Sequence, residues 1–180
     1  MLFETQTFDL NGHTLIFRTA NKEDAEMLID HFRTVCGETP FLSRDPEEVT
    51  FTVKDEEAFI CTQNDSPTNV LVLAFFDGEY IGNCSLMGSP LSRAKHRATL
   101  GIGLYQKYTG LGIGRKLIEF LFDLAKQMNL EQIELEVVAN NTRAISLYKK
   151  LGFEIFGTMP DNVKYKDGSY TDAYFMVKKL

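Results

Sequence analysis

With 180 residues, 44% of them hydrophobic and 24% charged, the chain has the make-up of a soluble globular protein, long enough to bury about 70% of the surface it exposes when unfolded. A formal net charge of −6 speaks against a nucleic-acid binder, which needs a basic face for phosphates, and mildly favours cationic substrates such as amines. Cys36, Cys61 and Cys84 are too few and too scattered for a disulfide framework, and His13, His31 and His96 are isolated, so neither a disulfide scaffold nor a metal centre is expected.

Taken in chain order, His13 to Arg18 (HTLIFR) alternates enough for a first strand. Asn21 then serves as a helix cap, with Asp24 three places on. Ala25, Leu28, Ile29, Phe32 and Val35 recur at helical spacing and define one buried face. A second, less regular helical region is expected between Asp45 and Asn64, with Pro46 in its first turn. The middle reads as sheet: Val70 to Phe76, a hairpin turn at Asp77-Gly78, a return strand over Tyr80 to Gly88, and a further strand over Arg97 to Tyr105. After a glycine-rich turn, Leu117, Leu121, Leu124, Ala125 and Met128 form a helical stripe, with Arg115, Lys116, Glu119 and Lys126 outside it.

Gln132 to Val138 is a strand, and NNTRAISLYKKLGF is a helix that opens at an asparagine cap and stops at Gly152. DAYFMVKKL closes the chain as a strand. With no internal repeat, low-complexity tract or linker, residues 1–180 are expected to form a single α/β (α+β) domain with a mixed sheet.

The chemistry points to YTGLGIGRKL. Gly110, Gly112 and Gly114 remove side chains where a strand passes into a helix, exposing backbone N–H groups beside the positive end of the helix dipole. A tight structural turn is one explanation. A dinucleotide fold needs G-x-G-x-x-G, and neither register fits, although Glu134 stands near the spacing of a ribose-binding acid. A P-loop needs Gly-Lys-Ser/Thr, which is absent.

The turn resembles the acetyl-CoA-binding signature of the GNAT superfamily of N-acetyltransferases, Gln/Arg-x-x-Gly-x-Gly/Ala, with its glycines on Gly112 and Gly114 and its first position departing to Thr109. NNTRAISLYKKLGF is similar to the family's N-x-x-A-x-x-L-Y-x-x-x-G-F helix at Asn141, Ala144, Leu147, Tyr148, Gly152 and Phe153. IELEV resembles the strand before it, and LGIGLY the strand before the turn, where Gly101 and Gly103 would permit a bulge. The likeness is strongest over about 97–153, the expected cofactor core. It implies a mostly antiparallel sheet flanked by helices, with a splayed central strand pair that holds the pantetheine arm. Acetyl-CoA would be the co-substrate, held by Leu104, Tyr105, Thr109, Gly110, Leu111, Gly112, Ile113, Gly114, Arg115 and Asn141, with no metal.

Acetyl transfer to an amine needs a base for the amine, donors for the thioester oxygen, and a proton for the departing sulfur. By the resemblance Tyr148 is the general acid; from the helix alone it could equally pack beside Leu147 and Leu151. Asn141 and Tyr148 are seven residues apart, nearly two turns, and so share a face. Asn141 is a cap or a CoA contact or both, with Asn140 its rival for the cap. Many relatives carry a glutamate where this chain has Thr99, which cannot act as a base. In the superfamily's protein N-terminal acetylases a glutamate precedes the tyrosine by twelve residues, the spacing of Glu136 from Tyr148. Glu136 is therefore the expected base, with Glu134 and a water as alternatives. An oxyanion donor is expected among the amides from Ile102 to Tyr105.

Cys84, in an apolar strand with no neighbouring histidine, is expected to be inert packing. The tail DNVKYKDGSYTDAYFM, turning at Asp167-Gly168, resembles the family's final hairpin. In it Tyr165, Tyr170 and Tyr174 either line an amine site or, as expected, pair across strands.

The function read from the sequence is therefore transfer of an acetyl group from acetyl-CoA directly to a primary amine, of a small molecule or a protein N-terminus, in a ternary complex. The alternative is a non-catalytic acyl-CoA sensor with the same fold, kept open by Thr99 and Thr109. No nucleic acid or membrane is expected as partner, and the resemblance allows a homodimer. The N-terminal residues show no basic start followed by an apolar run, and no apolar stretch approaches ~20 residues, so a cytoplasmic location is expected.

Overall fold

The computed structural model describes residues 1–180. Eight strands form one sheet: β1 (Gln6–Leu10), β2 (His13–Thr19), β3 (Asn69–Phe76), β4 (Glu79–Gly88), β5 (Arg97–Leu104), β6 (Gln132–Val138), β7 (Glu154–Lys164) and β8 (Tyr170–Lys179). Their spatial order is β1-β2-β3-β4-β5-β6-β8-β7, and every neighbouring pair is antiparallel except β5 and β6. Helices α1 (Ala25–Glu38), α2 (Val53–Asp65), α3 (Ile113–Gln127) and α4 (Thr142–Lys150) complete the fold. This is the mixed, mostly antiparallel α/β architecture expected from the sequence. No helix is long and apolar enough to cross a membrane.

The sheet separates two apolar layers. α3 buries Ile113, Leu117, Ile118, Leu121, Leu124 and Ala125, a continuous stripe at helical spacing. These pack with Ile145 and Tyr148 of α4 against Leu15, Val72, Leu86, Leu100, Ile133 and Leu135 of the sheet. On the other face Ala25 and Leu28 of α1 and Ile60 of α2 meet Leu71, Leu73 and Tyr80. His31, also on α1, is buried edge-on against Tyr80 and Tyr105. Burial pulls its pKa down to about 4, so it carries no charge at neutral pH.

Three sequence expectations need correction. A strand not anticipated, β1, pairs with β2 through a tight turn in which Asn11 and Gly12 both have positive φ (56° and 85°). The helical region expected over Asp45–Asn64 is two pieces. Asp45 and Glu48 cap a short 3-10 turn at Pro46–Glu48, Val49 is drawn into a small cluster with Ile29 and Cys36, and Thr52 starts α2 afresh by accepting from the Asp55 amide at 3.2 Å. The third concerns β5, which keeps unbroken register with β4 through Gly101 and Gly103. The bulge lies instead in β4 at Ile81, where the pairing shifts between Ala74 and Phe75.

The parallel pairing of β5 and β6 is short. It joins Arg97 to Gln132, Ala98 to Ile133 and Thr99 to Glu134, and then stops. Beyond that rung the strands part, β5 remaining with β4 and β6 with β8.

Ile118→Ala removes most of a side chain with 0% exposure from the centre of α3's packed face. It is expected to lower unfolding free energy by about 2–5 kcal/mol, as read by urea denaturation. A loss below about 1 kcal/mol would mean that the α3 layer does not set the stability of the fold.

Candidate active site

The parting of β5 and β6 opens a cavity of about 790 Å³. Its walls come from β5 and β6, the turn before α3, one face of α4, and the end of α1 with Phe41 and Leu42.

The turn before α3 holds the most informative backbone. Gly110 and Gly112 have φ of 85° and 87°, a region that disfavours any side chain. A Cβ on Gly110 would also lie 2.6 Å from a guanidinium nitrogen of Arg143. The helical ladder starts with the Lys116 amide donating to the Gly112 carbonyl at 3.1 Å, and no amide from Gly110 to Arg115 has an acceptor within the chain. Six consecutive N–H groups thus stand free at the positive end of a fifteen-residue helix. Thr109 is not one of them, because its amide (3.1 Å) and its hydroxyl (2.6 Å) both donate to the Gln106 carbonyl. The first position of the signature therefore fastens the turn here and offers no amide to a ligand.

Charge around the turn follows the same logic. Helices usually carry acids in the first turn to complement the dipole. Neither α3 nor α4 does; Arg115 and Arg143 occupy those turns and line the cavity. Free amides, missing side chains and two guanidinium groups together fit a pyrophosphate. Arg143 was not singled out from the sequence, though a base in the first turn of a helix is itself a signal for an anion.

α4 carries Asn141 and Tyr148 onto the cavity wall. The Asn141 side chain accepts from the Ala144 amide at 3.2 Å and is the cap; Asn140 instead donates to the Tyr165 hydroxyl at 3.1 Å. Tyr148 is buried edge-on against Phe153, with ring centroids 5.8 Å apart, and burial pushes its pKa up to about 12.

β6 carries Glu136 into the same cavity from the other face of the sheet, held by the Asn162 side-chain amide of β7 at 2.8 Å. Glu134 does not line the cavity; it is paired with Arg97 at 2.8 Å beside the last rung, next to Thr99.

Of the other residues expected to hold a cofactor, Leu104 lines the cavity. Tyr105 does not: its ring packs on His31, and its amide donates to the Ile81 carbonyl at 3.0 Å. Since strand amides alternate in direction, those of Ile102 and Leu104 face the opened gap. Leu111 and Ile113 contribute only backbone at the turn, the Leu111 side chain being exposed and the Ile113 side chain lying in the core. Cys84 is wholly buried and its thiol pKa is raised by burial, which leaves it inert packing. Tyr170 and Tyr174 pair across β7–β8 with Lys164 and Thr158. Two further groups had no readable signal in the sequence. Asn162 reaches Glu136 from β7, and the Glu38 carboxylate accepts from the Gln106 amide at 2.8 Å where the cavity meets α1.

Residues 37–153 match the acetyltransferase (GNAT) family model. The L-amino acid N-acetyltransferase AaaT of Escherichia coli is 32% identical over 117 residues, 63% of this chain and 70% of that protein. Among solved structures, an acetyltransferase of the GNAT family from Streptococcus pneumoniae superposes with a TM-score of 0.87 at 29% identity, covering 92% of this chain and 99% of the other. The yncA protein of Salmonella typhimurium, solved with its cofactor acetyl-CoA, has the same fold, with a TM-score of 0.80 at 20% identity over 92% of this chain and 94% of its own.

If the free amides and the two arginines bind diphosphate, Arg143→Ala should weaken coenzyme A binding by roughly tenfold, the loss of about 1.4 kcal/mol. Titration calorimetry should show the deficit shrinking as salt is raised. Affinity unchanged at low salt would remove Arg143 from the site.

Proposed function

This chain belongs to the acetyltransferase (GNAT) family, and we propose that it transfers the acetyl group of acetyl-CoA directly to a primary amine, with both substrates held at once in the opened cleft. The observation that carries this reading is one cavity, walled by the free amides before α3, the Tyr148 phenol and the Glu136 carboxylate. We further propose that residues 1–180 act as one domain. A cytoplasmic setting agrees with the three unpaired cysteines.

The thioester supplies an electrophilic carbonyl and a sulfur that leaves as thiolate; the chain supplies the rest. The amides of Gly110 to Arg115, with Arg115 and Arg143, take the diphosphate, and Asn141 holds the start of α4 beside it. The Ile102 and Leu104 amides, released from strand pairing, are the donors that stabilise negative charge on the reacting oxygen. Glu136, steadied by Asn162, accepts the proton of the incoming ammonium, directly or through a water.

Tyr148 faces the leaving sulfur. Its pKa of about 12 stands well above that of an ordinary thiol, about 8.5. It stays protonated at neutral pH and acts by donating a hydrogen bond to the thiolate as it develops. The second proton, shed by the attacking nitrogen as the intermediate collapses, goes to that thiolate and gives the free thiol.

Incubation with acetyl-CoA and a panel of amines, read by thiol release, tests the reaction and separates it from a CoA-binding sensor, which would release none. Stabilisation by acetyl-CoA and not by NAD in a thermal-shift assay tests the site independently.

Tyr148→Phe should lower kcat by roughly 10²–10³-fold, the usual effect of losing one such donor, while the dissociation constant for acetyl-CoA changes less than about threefold. Equal turnover would exclude the role. Because the protonated phenol is the working form and burial raises its pKa, wild-type rate should show no decline from this group as pH rises to about 10. Glu136→Gln should lower kcat by roughly 10²–10⁴-fold, the usual contribution of a positioned base, and an unchanged kcat would leave deprotonation to a water alone.

A further inference from the structure

We infer that the acceptor is a primary amine with no carboxylate beside the reacting nitrogen, the chemistry of a peptide N-terminus or an amino-acid amide and not of a free amino acid. This deepens the transfer reading above and rests on it.

The charged side chains on the cavity wall divide by sign across the cleft. The cations Arg115, Arg143 and Lys150 all belong to α3 and α4, the side of the diphosphate turn. Arg143 and Lys150 are seven residues apart and share one stripe of α4. The opposite side carries two carboxylates, Glu38 at the end of α1 and Glu136 on β6, among the apolar groups Val35, Phe41 and Leu42. Glu136 alternates with the core residues Leu135 and Val137, so it faces away from α3 and α4.

Neither carboxylate is neutralised. Each is held by a neutral donor, Glu38 by the Gln106 backbone amide and Glu136 by the Asn162 side-chain amide, both at 2.8 Å. Three acids outside the cavity lining are paired with cations. Asp45 and Glu47 share Lys166 at 3.1 and 3.2 Å, and Glu134 has Arg97 at 2.8 Å. No cation lines this side of the cavity. Outside the lining, Lys166 is shared by those two acids, Arg33 pairs with Asp30 at 3.1 Å, Arg44 lies over the Phe51 ring, and His31 is neutral.

An arriving ammonium therefore meets two fixed, uncompensated negative charges. The carboxylate of a free amino acid, two bonds from its nitrogen, would enter the same field with no cation to receive it. Rejection by like charge is how such sites discriminate.

The test compares L-methionine, L-methioninamide and L-methionyl-alanine as acceptors with saturating acetyl-CoA, rates being referred to the unprotonated amine. The amide and dipeptide should exceed the free acid in kcat/KM by about 100-fold or more. Glu38→Gln should narrow that ratio at least roughly tenfold, the amide losing and the acid gaining.

The inference is overturned if the acid is acetylated within about threefold of the amide, or if a folded Glu38→Gln variant leaves the ratio unchanged. In either case acetyl transfer itself would stand. The wild-type ratio decides even if that variant does not fold. Absence of transfer to any amine would overturn both this inference and the transfer reading.

Discussion

The site depends on one interruption of the sheet. β5 and β6 pair as far as Thr99 and Glu134 and no further. A sheet interior normally satisfies every amide through its neighbours, and unpaired backbone groups are costly when buried. Here the cost is met by opening the gap into a cavity, so that strand amides on β5 face a space a substrate can enter. The same opening lets groups from opposite faces of the sheet converge: Tyr148 comes from the α4 side, and Glu136 faces the α1 side. In a continuous sheet they would be separated by a layer of backbone.

Electrostatics gives the two sides of the opening different tasks. The side of the turn before α3 assembles free N–H groups, a helix dipole and arginines, all favourable to a polyanion. The other side, where the amine is proposed to enter, presents carboxylates held by neutral amides, which fixes their direction. On the proposed reading, an anionic cofactor and a cationic amine would approach from opposite sides, each into a favourable field before any bond changes. Glu38 joins the two sides mechanically, since its carboxylate holds the Gln106 amide in the segment that leads into the glycine turn before α3. Thr109 secures the same segment from within through the Gln106 carbonyl.

Legibility in the sequence followed the range of the interaction. α3 was visible because Leu117, Leu121, Leu124 and Ala125 repeat at helical spacing, and β6 because its composition and length agree. The end of α4 was visible because Gly152 takes the φ of 86° that a helix stop requires. β1 was missed although Asn11-Gly12 is the same kind of turn signal as Asp77-Gly78. Its five residues, QTFDL, alternate at an exposed edge and carry little apolar weight. The break at Val49 was missed because it is made by packing against Ile29 and Cys36, a contact that local pattern does not encode. Thr109 looked like a weakened signature position because its bond to Gln106 depends on the short turn between them.

By itself, the sequence determined the run of elements from β3 to α4, the glycine turn, and the helix that carries Asn141 and Tyr148, because each rests on backbone preferences or periodicities within a few residues. Tertiary structure alone decided which carboxylate reaches the cleft. Glu134 and Glu136 point to the same side of one strand, but the first lies beside the last rung with Arg97 and the second lies past it, facing the cavity and Asn162. That choice depends on where two strands separate and what a hairpin some 26 residues away brings alongside, and neither is written in the local pattern of side chains.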